Sequence, residues 1–233
     1  MPVTILSGSK YTEHAPYYDI AANYASSTDI VTVSAVANTA AVALMKEFVS
    51  STITKFKTNG NFANLTSHDI VMMGFDKGRK ESLQITYLIG SSAHTLSYIF
   101  TITEDTLGAH PNLFFKTFSF DTDPSTHSGQ AGAPLALTDL FVPGSEYLAA
   151  LSRIARTKLP AVIGTKLVDA DFIKNFIMPG TTPEEKNFDN FFFDNQDFVI
   201  LFAPYAVAPY SAGPQTLRIP LTDLSDILKP AYR

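Results

Sequence analysis

Asp121 and Asp123, in Phe120-Asp121-Thr122-Asp123, stand shortly before His127. Carboxylates near an imidazole are the raw material of zinc-assisted or general acid–base hydrolysis. A zinc site of that kind asks for two histidines presented together, with a carboxylate as base. After His127-Ser128-Gly129-Gln130 the next position is Ala131, and the five histidines of the chain nowhere take His-x-x-x-His spacing. The motif therefore reads as a strand end running into an Asx-type loop.

His110, in Gly108-Ala109-His110-Pro111, follows a strand and precedes a rigid turn. An imidazole there can act as a general base or a pH-sensitive contact. No acid or nucleophile is set beside it by sequence, so the simpler role is packing in the turn. Tyr205, Pro209 and Tyr210 form an aromatic–proline cluster. A tyrosine offers an apolar ring and a polar tip, which suits contact with carbohydrate or protein. Its plainer role is to pack the loop against a sheet. No Gly-rich phosphate loop, Gly-x-Ser-x-Gly elbow or cysteine occurs. The reading is of a non-enzyme with no catalytic residue, no cofactor and no metal site, whose binding residues are His110, Tyr205, Pro209 and Tyr210.

The elements that position these residues follow from periodicity. Val42, Met45, Phe48, Val49, Ile53 and Phe56 recur near a 3.6 period, predicting a helix over Asn38–Lys57 capped by Asn38 or Thr39. Tyr11–Ile20 reads as one extended strand. Asp69–Phe75, Ser82–Ile89, Thr95–Thr103 and Leu113–Asp121 read as a four-strand meander, with Asp76–Arg79 as its first turn. Helices follow at Leu135–Phe141, Ser145–Leu159 (capped by Gly144 or Ser145) and Ala170–Ile177. A hairpin, Phe188–Phe193 with Phe198–Phe202, turns at Asp194–Asp197. A strand at Thr216–Ile219 and a short helix at Asp223–Leu228 close the chain. Alternation turns Phe191 and Phe193 to one side and Phe192 to the other. The order predicts an α+β fold, a twisted antiparallel sheet with helices packed on one face. Its expected parts are residues 1–106 and 107–233, with a single shared sheet compatible with that order.

The chain has 233 residues, 45% hydrophobic and 17% charged, which allows a sizeable core and argues against disorder. A net charge of −5 without a basic patch argues against nucleic acid as a partner. No apolar run reaches membrane-spanning length. Met1–Ser7 shows no charged-then-apolar leader, so an exported protein would carry its signal or anchor outside this sequence.

Three blocks carry a family resemblance. Gly108-Ala-His110-Pro-Asn112 follows a strand. A strand ending in Asp121 leads through a loop with Gly129 to Leu135-Ala-Leu-Thr-Asp-Leu-Phe141. The Phe-rich hairpin leads to Tyr205-Ala-Val-Ala-Pro209-Tyr210-Ser-Ala-Gly213-Pro214, then Ile219-Pro220 and Leu224. Together they resemble the uncharacterised extracytoplasmic domains shared by the anti-sigma factor RsiV and the peptidoglycan deacetylase PdaC, over about Leu107 to Leu228. Residues 1–106 resemble the smaller domain that precedes this one. The resemblance implies work outside the cytoplasmic membrane, as an envelope binding or sensor domain. It implies lysozyme, another envelope protein or peptidoglycan as the ligand, and membrane attachment only through an anchor not in this chain. The alternative it implies is an accessory region beside a cell-wall glycan hydrolase or deacetylase. Phe120-Asp121-Thr122-Asp123 is superficially similar to the acidic motif of polysaccharide deacetylases, without the second histidine.

Overall fold

The computed structural model describes residues 9–25, 35–122 and 133–233. The fold is α+β, as the sequence predicts, with a five-stranded and a three-stranded sheet. The first sheet runs in the order β1 (Ser9–His14), β2 (Tyr18–Tyr24), β3 (Glu81–Ser91), β4 (Thr95–Asp105), β5 (Asn112–Asp121). The described residues fall into two compact units, those within Met1–Leu88 and Phe100–Phe114 and those within Ile89–Ile99 and Phe115–Arg233.

In the first unit the expected single strand at Tyr11–Ile20 is a hairpin. Pro16 cannot continue a ladder, and the chain reverses with the Ala15 N–H donating to the Tyr18 carbonyl at 2.9 Å. β2 then pairs parallel with β3, from Tyr18 opposite Glu81 to Ala22 opposite Ile85. This pairing departs from an antiparallel meander, because a helical crossover separates the two strands. The helix α1 (Ala35–Gly60) starts before the expected cap, so Asn38 and Thr39 lie inside it. It buries Val42, Met45, Val49, Ile53 and Phe56, and Phe48 meets Phe100 edge-on. Its last turn places Lys57 Nζ 2.5 Å from a Glu13 carboxylate oxygen. The Tyr11 and Tyr18 hydroxyls donate to the same carboxylate. These contacts hold Glu13 down to about 2, led by the Lys57 hydrogen bond.

The strand expected at Asp69–Phe75 is instead helix α2 (Ser67–Met73). Thr66 and Asp69 form a reciprocal capping box: Thr66 Oγ1 accepts from the Asp69 N–H at 3.2 Å, and Asp69 accepts from the Thr66 N–H at 2.8 Å. Gly74, at φ 73°, stops the helix. A 3₁₀ turn at Phe75–Lys77 and Gly78 lead into β3, so Asp76–Arg79 joins a helix to a strand rather than two strands.

The second unit is built on β6 (Phe191–Asp194), β7 (Asp197–Phe202) and β8 (Gln215–Pro220), antiparallel and in that order. The β6–β7 turn is two residues, with Asn195 at φ 55°. Arg218 ties the turn shut, donating to Asp194 at 2.7 Å and Asp197 at 3.1 Å. α3 (Leu137–Leu140) precedes α4 (Tyr147–Ile163), which follows Glu146 rather than a Gly144 or Ser145 cap. α4 buries Leu151, Ala155 and Leu159 in a core with Phe188, Phe198, Ile200, Leu217 and Ile219. The third helix is a continuous run: α5 (Ala170–Phe172), a π turn (Ile173–Ile177) and α6 (Met178–Gly180). Asp169 caps its start, accepting from the Phe172 N–H at 2.8 Å. Phe191 and Phe193 are buried and Phe192 is half-buried. In place of the short helix expected at Asp223–Leu228 is a 3₁₀ turn at Leu221–Leu224; Leu228 then bridges to Phe141, and a further 3₁₀ turn follows at Pro230–Tyr232.

Candidate functional site

The loop from β7 to β8 displays an aromatic pair on a fixed frame. Phe202 ends β7 in the core, and Val207 and Ala208 return to it at 0% and 1% exposure. Between those anchors the Ala206 N–H donates to the Ala203 carbonyl at 3.0 Å. Farther on, the Ala212 N–H donates to Pro209 at 3.0 Å and the Gly213 N–H to Tyr210 at 2.8 Å. The buried Gln215 side chain donates to the Ala212 and Gly213 carbonyls at 2.8 and 3.2 Å. Gly213 sits at φ 70°, where glycine is unstrained.

Tyr205 is placed unusually. It is 61% exposed and adopts φ 70°. A bulky residue in the left-handed region costs about 1–3 kcal/mol and persists only where its surroundings over-determine it. Those surroundings include Gly180, the last residue of α6. A Cβ on Gly180 would lie 1.8 Å from the Ala206 carbonyl oxygen. The helix end is itself pinned: Ser152 Oγ and the Arg156 guanidinium donate to the Thr181 carbonyl at 2.6 and 3.4 Å. Tyr210 is half-buried, and its ring lies 5.7 Å from that of Tyr205, inclined by 38°. Pro209, at φ −63°, sets the direction of entry to the Tyr210 turn. The structure thus brings Tyr205, Pro209 and Tyr210 into one loop. Val207 and Ala208 are the fully buried residues of the loop, and Pro209 and Tyr210 are half-buried.

His110 lies in the first unit. It is half-buried and its Nδ1 stands 3.2 Å from the carbonyl oxygen of Pro111. The turn before it holds Leu107 at φ 60°, with the Leu107 N–H donating to Asp105 at 2.9 Å. Asp121, in the second unit, accepts from the Tyr232 hydroxyl at 2.9 Å. Burial, then that hydrogen bond, pushes the Tyr232 phenol far above its ordinary value. Asp123, His127 and the Asp123–Gly129 loop lie outside the described residues. Among the described residues no group of three or more His, Cys, Asp or Glu could hold a metal ion.

The second unit also holds a cleft of about 280 Å³, which sequence reading missed. Lys116 and Phe118 of β5, Leu135 beside α3, and Glu185, Asp189 and Phe191 before and within β6 line it. Lys116 Nζ stands 5.4 Å from the Phe118 ring centre. Glu185 accepts from the Tyr147 hydroxyl at 2.6 Å. Desolvation pushes the Asp189 carboxyl up and Lys116 opposes it; because the residue remains open to solvent, water limits that rise. No local pattern links residues 116 and 189 in sequence, so only the fold could reveal the cleft.

Residues 138–222 match the family described as "Protein of unknown function (DUF3298)". The stretch contains Gly180, Asp189 and the whole aromatic loop. The resemblance read from the sequence therefore holds. A curated relative, the peptidoglycan-N-acetylmuramic acid deacetylase PdaC of Bacillus subtilis strain 168, is 28% identical over 155 residues, 66% of this chain. The match spans 31% of that relative, so about a third of its length. A DUF3298-family crystal structure from Bacteroides fragilis NCTC 9343 is similar in fold, with a TM-score of 0.62 at 15% identity, covering 96% of this chain and 93% of that one. Another, from Pseudomonas aeruginosa PAO1, gives 0.59 at 16% identity, covering 99% and 95%.

Proposed function

We propose that this chain is a non-catalytic binding module of the cell envelope, acting outside the cytoplasmic membrane, and that its ligand is the glycan of peptidoglycan. The observation that carries this reading is the Tyr205–Tyr210 pair, an exposed ring and its half-buried neighbour on a strained and braced loop. Sugar rings present apolar C–H faces between polar edges, and a tyrosine offers the matching flat ring and hydroxyl tip. Preorganisation on a rigid loop lowers the entropy cost of capture. The relationship to a peptidoglycan deacetylase over part of its length supports a glycan context.

Calorimetry of the full chain with soluble peptidoglycan fragments tests this. Tyr205→Ala and Tyr210→Ala should each weaken binding about tenfold or more, the effect of losing one aromatic anchor. Absence of binding by the unaltered chain would overturn the reading.

A second reading has one observation behind it. The net charge of −5 attracts basic proteins, and lysozyme is such a protein. Under that reading lysozyme binds in the same calorimeter, weakens steeply with salt, and is indifferent to glycan fragments.

A further inference from the structure

Lys116 and Asp189 face one cleft as an unclosed pair. They are near enough for the ammonium to act on the carboxyl, yet they make no ion pair or hydrogen bond with each other. Other opposite charges of this fold close up: Arg218 reaches Asp194 at 2.7 Å and Lys158 reaches Asp223 at 3.0 Å. Leu135 and Phe191 line the same cleft. A donor, an acceptor and apolar residues lining one cleft match the groups of a small secondary amide. Such a group carries an acceptor oxygen, a donor N–H and a methyl, and no net charge. A volume of about 280 Å³ suits one substituted sugar ring better than a larger ligand.

We infer that this cleft receives the acetamido group of an N-acetylated amino sugar. The amide carbonyl accepts from Lys116 Nζ, the amide N–H donates to the Asp189 carboxylate, and the methyl lies against Leu135 and Phe191. Glu185 keeps the Tyr147 hydrogen bond and adds negative charge at the rim. The site selects for acetylation, because a free amino sugar brings no carbonyl for Lys116 to donate to and leaves Leu135 and Phe191 without a methyl to cover. The inference takes its ligand from the glycan reading above, but it stands on different residues from the aromatic loop.

The test titrates the full chain by NMR with a β-1,4 trimer of N-acetylglucosamine, the same trimer of glucosamine, and N-acetyl-alanine N-methylamide. The acetylated trimer should shift the amides of Lys116–Ser119 and Leu135 and bind at least about tenfold more tightly than the free-amine trimer, the scale of one lost polar contact. Lys116→Met and Asp189→Asn should each erase that preference at unchanged melting temperature. Equal affinity for the two trimers, undiminished preference in both variants, or tighter binding of the dipeptide amide would overturn the inference. Tyr205→Ala separates the two proposals. If it leaves trimer binding intact while Lys116→Met abolishes the preference, the cleft stands and the loop reading falls. If Tyr205→Ala abolishes binding and both trimers had bound alike, the loop stands and the cleft falls.

Discussion

Gly180 and Ala206 approach so closely that the fold has no room for a side chain between them. A Cβ at position 180 would stand 1.8 Å from the Ala206 oxygen and 2.9 Å from the Val207 side chain. The neighbour at fault is backbone, so it can yield only by moving the loop that carries Tyr205. Gly180→Ala should destabilise the protein by about 2–3 kcal/mol, as overpacking does. It should also weaken glycan capture beyond what the stability loss explains. Urea unfolding beside calorimetry checks both.

Glu13 gives a pH dependence of known sign. Its folded value, about 2, lies below the ordinary 4.5. The stability it contributes is therefore complete above pH 4.5 and is lost as pH falls toward 2. Glu13→Gln should cost about 1–2 kcal/mol at pH 7, allowing for solvent screening of a partly exposed carboxylate. Near pH 2 the variant and the unaltered chain should unfold alike. A constant difference between pH 7 and pH 2 would contradict the assignment.

Glu81 has the opposite sign. The residue is 7% exposed at the start of β3, and desolvation, then Glu104 and Asp105, raise its carboxyl. The folded state thus holds its proton longer than the unfolded chain does. Stability from this group is present below the unfolded value and declines as pH rises through the folded one. Glu81→Gln should raise the urea midpoint at pH 7 and leave it unchanged at pH 3. A lowered midpoint at pH 7 would show that the carboxylate is needed.

Tyr232 and Asp121 form a contact whose worth can be measured. The Tyr232 hydroxyl is committed to Asp121 at 2.9 Å, and the ring is 4% exposed. Tyr232→Phe should cost about 1–2 kcal/mol in unfolding free energy, the price of one buried hydrogen bond to a charged group. Glycan affinity should not change.

What the sequence revealed depended on how local the signal was. The α1 stripe from Val42 to Phe56 and the alternation of Phe191, Phe192 and Phe193 were legible because neighbours within one element decide them. Thr66-x-x-Asp69 was equally local, and its capping box was the available sign that Asp69–Phe75 is not a strand. The parallel pairing of Tyr18 with Glu81 was hidden, since it joins residues far apart through a helical crossover. The aromatic loop was visible as Tyr205, Pro209 and Tyr210, but its bracing by Gly180 was not. Nor could residue types alone reveal the left-handed backbone of Tyr205 or the cleft between Lys116 and Asp189.

The strain at Tyr205 offers the most direct test of the account. Glycine accepts φ 70° without strain, so Tyr205→Gly should relieve the backbone and offset its own entropy cost, leaving stability equal or higher by about 1 kcal/mol. Paired urea unfolding and calorimetry with peptidoglycan fragments measure both sides. The account predicts a chain at least as stable as the original whose glycan affinity falls about tenfold or more. Unchanged affinity in a stably folded Tyr205→Gly protein would contradict it.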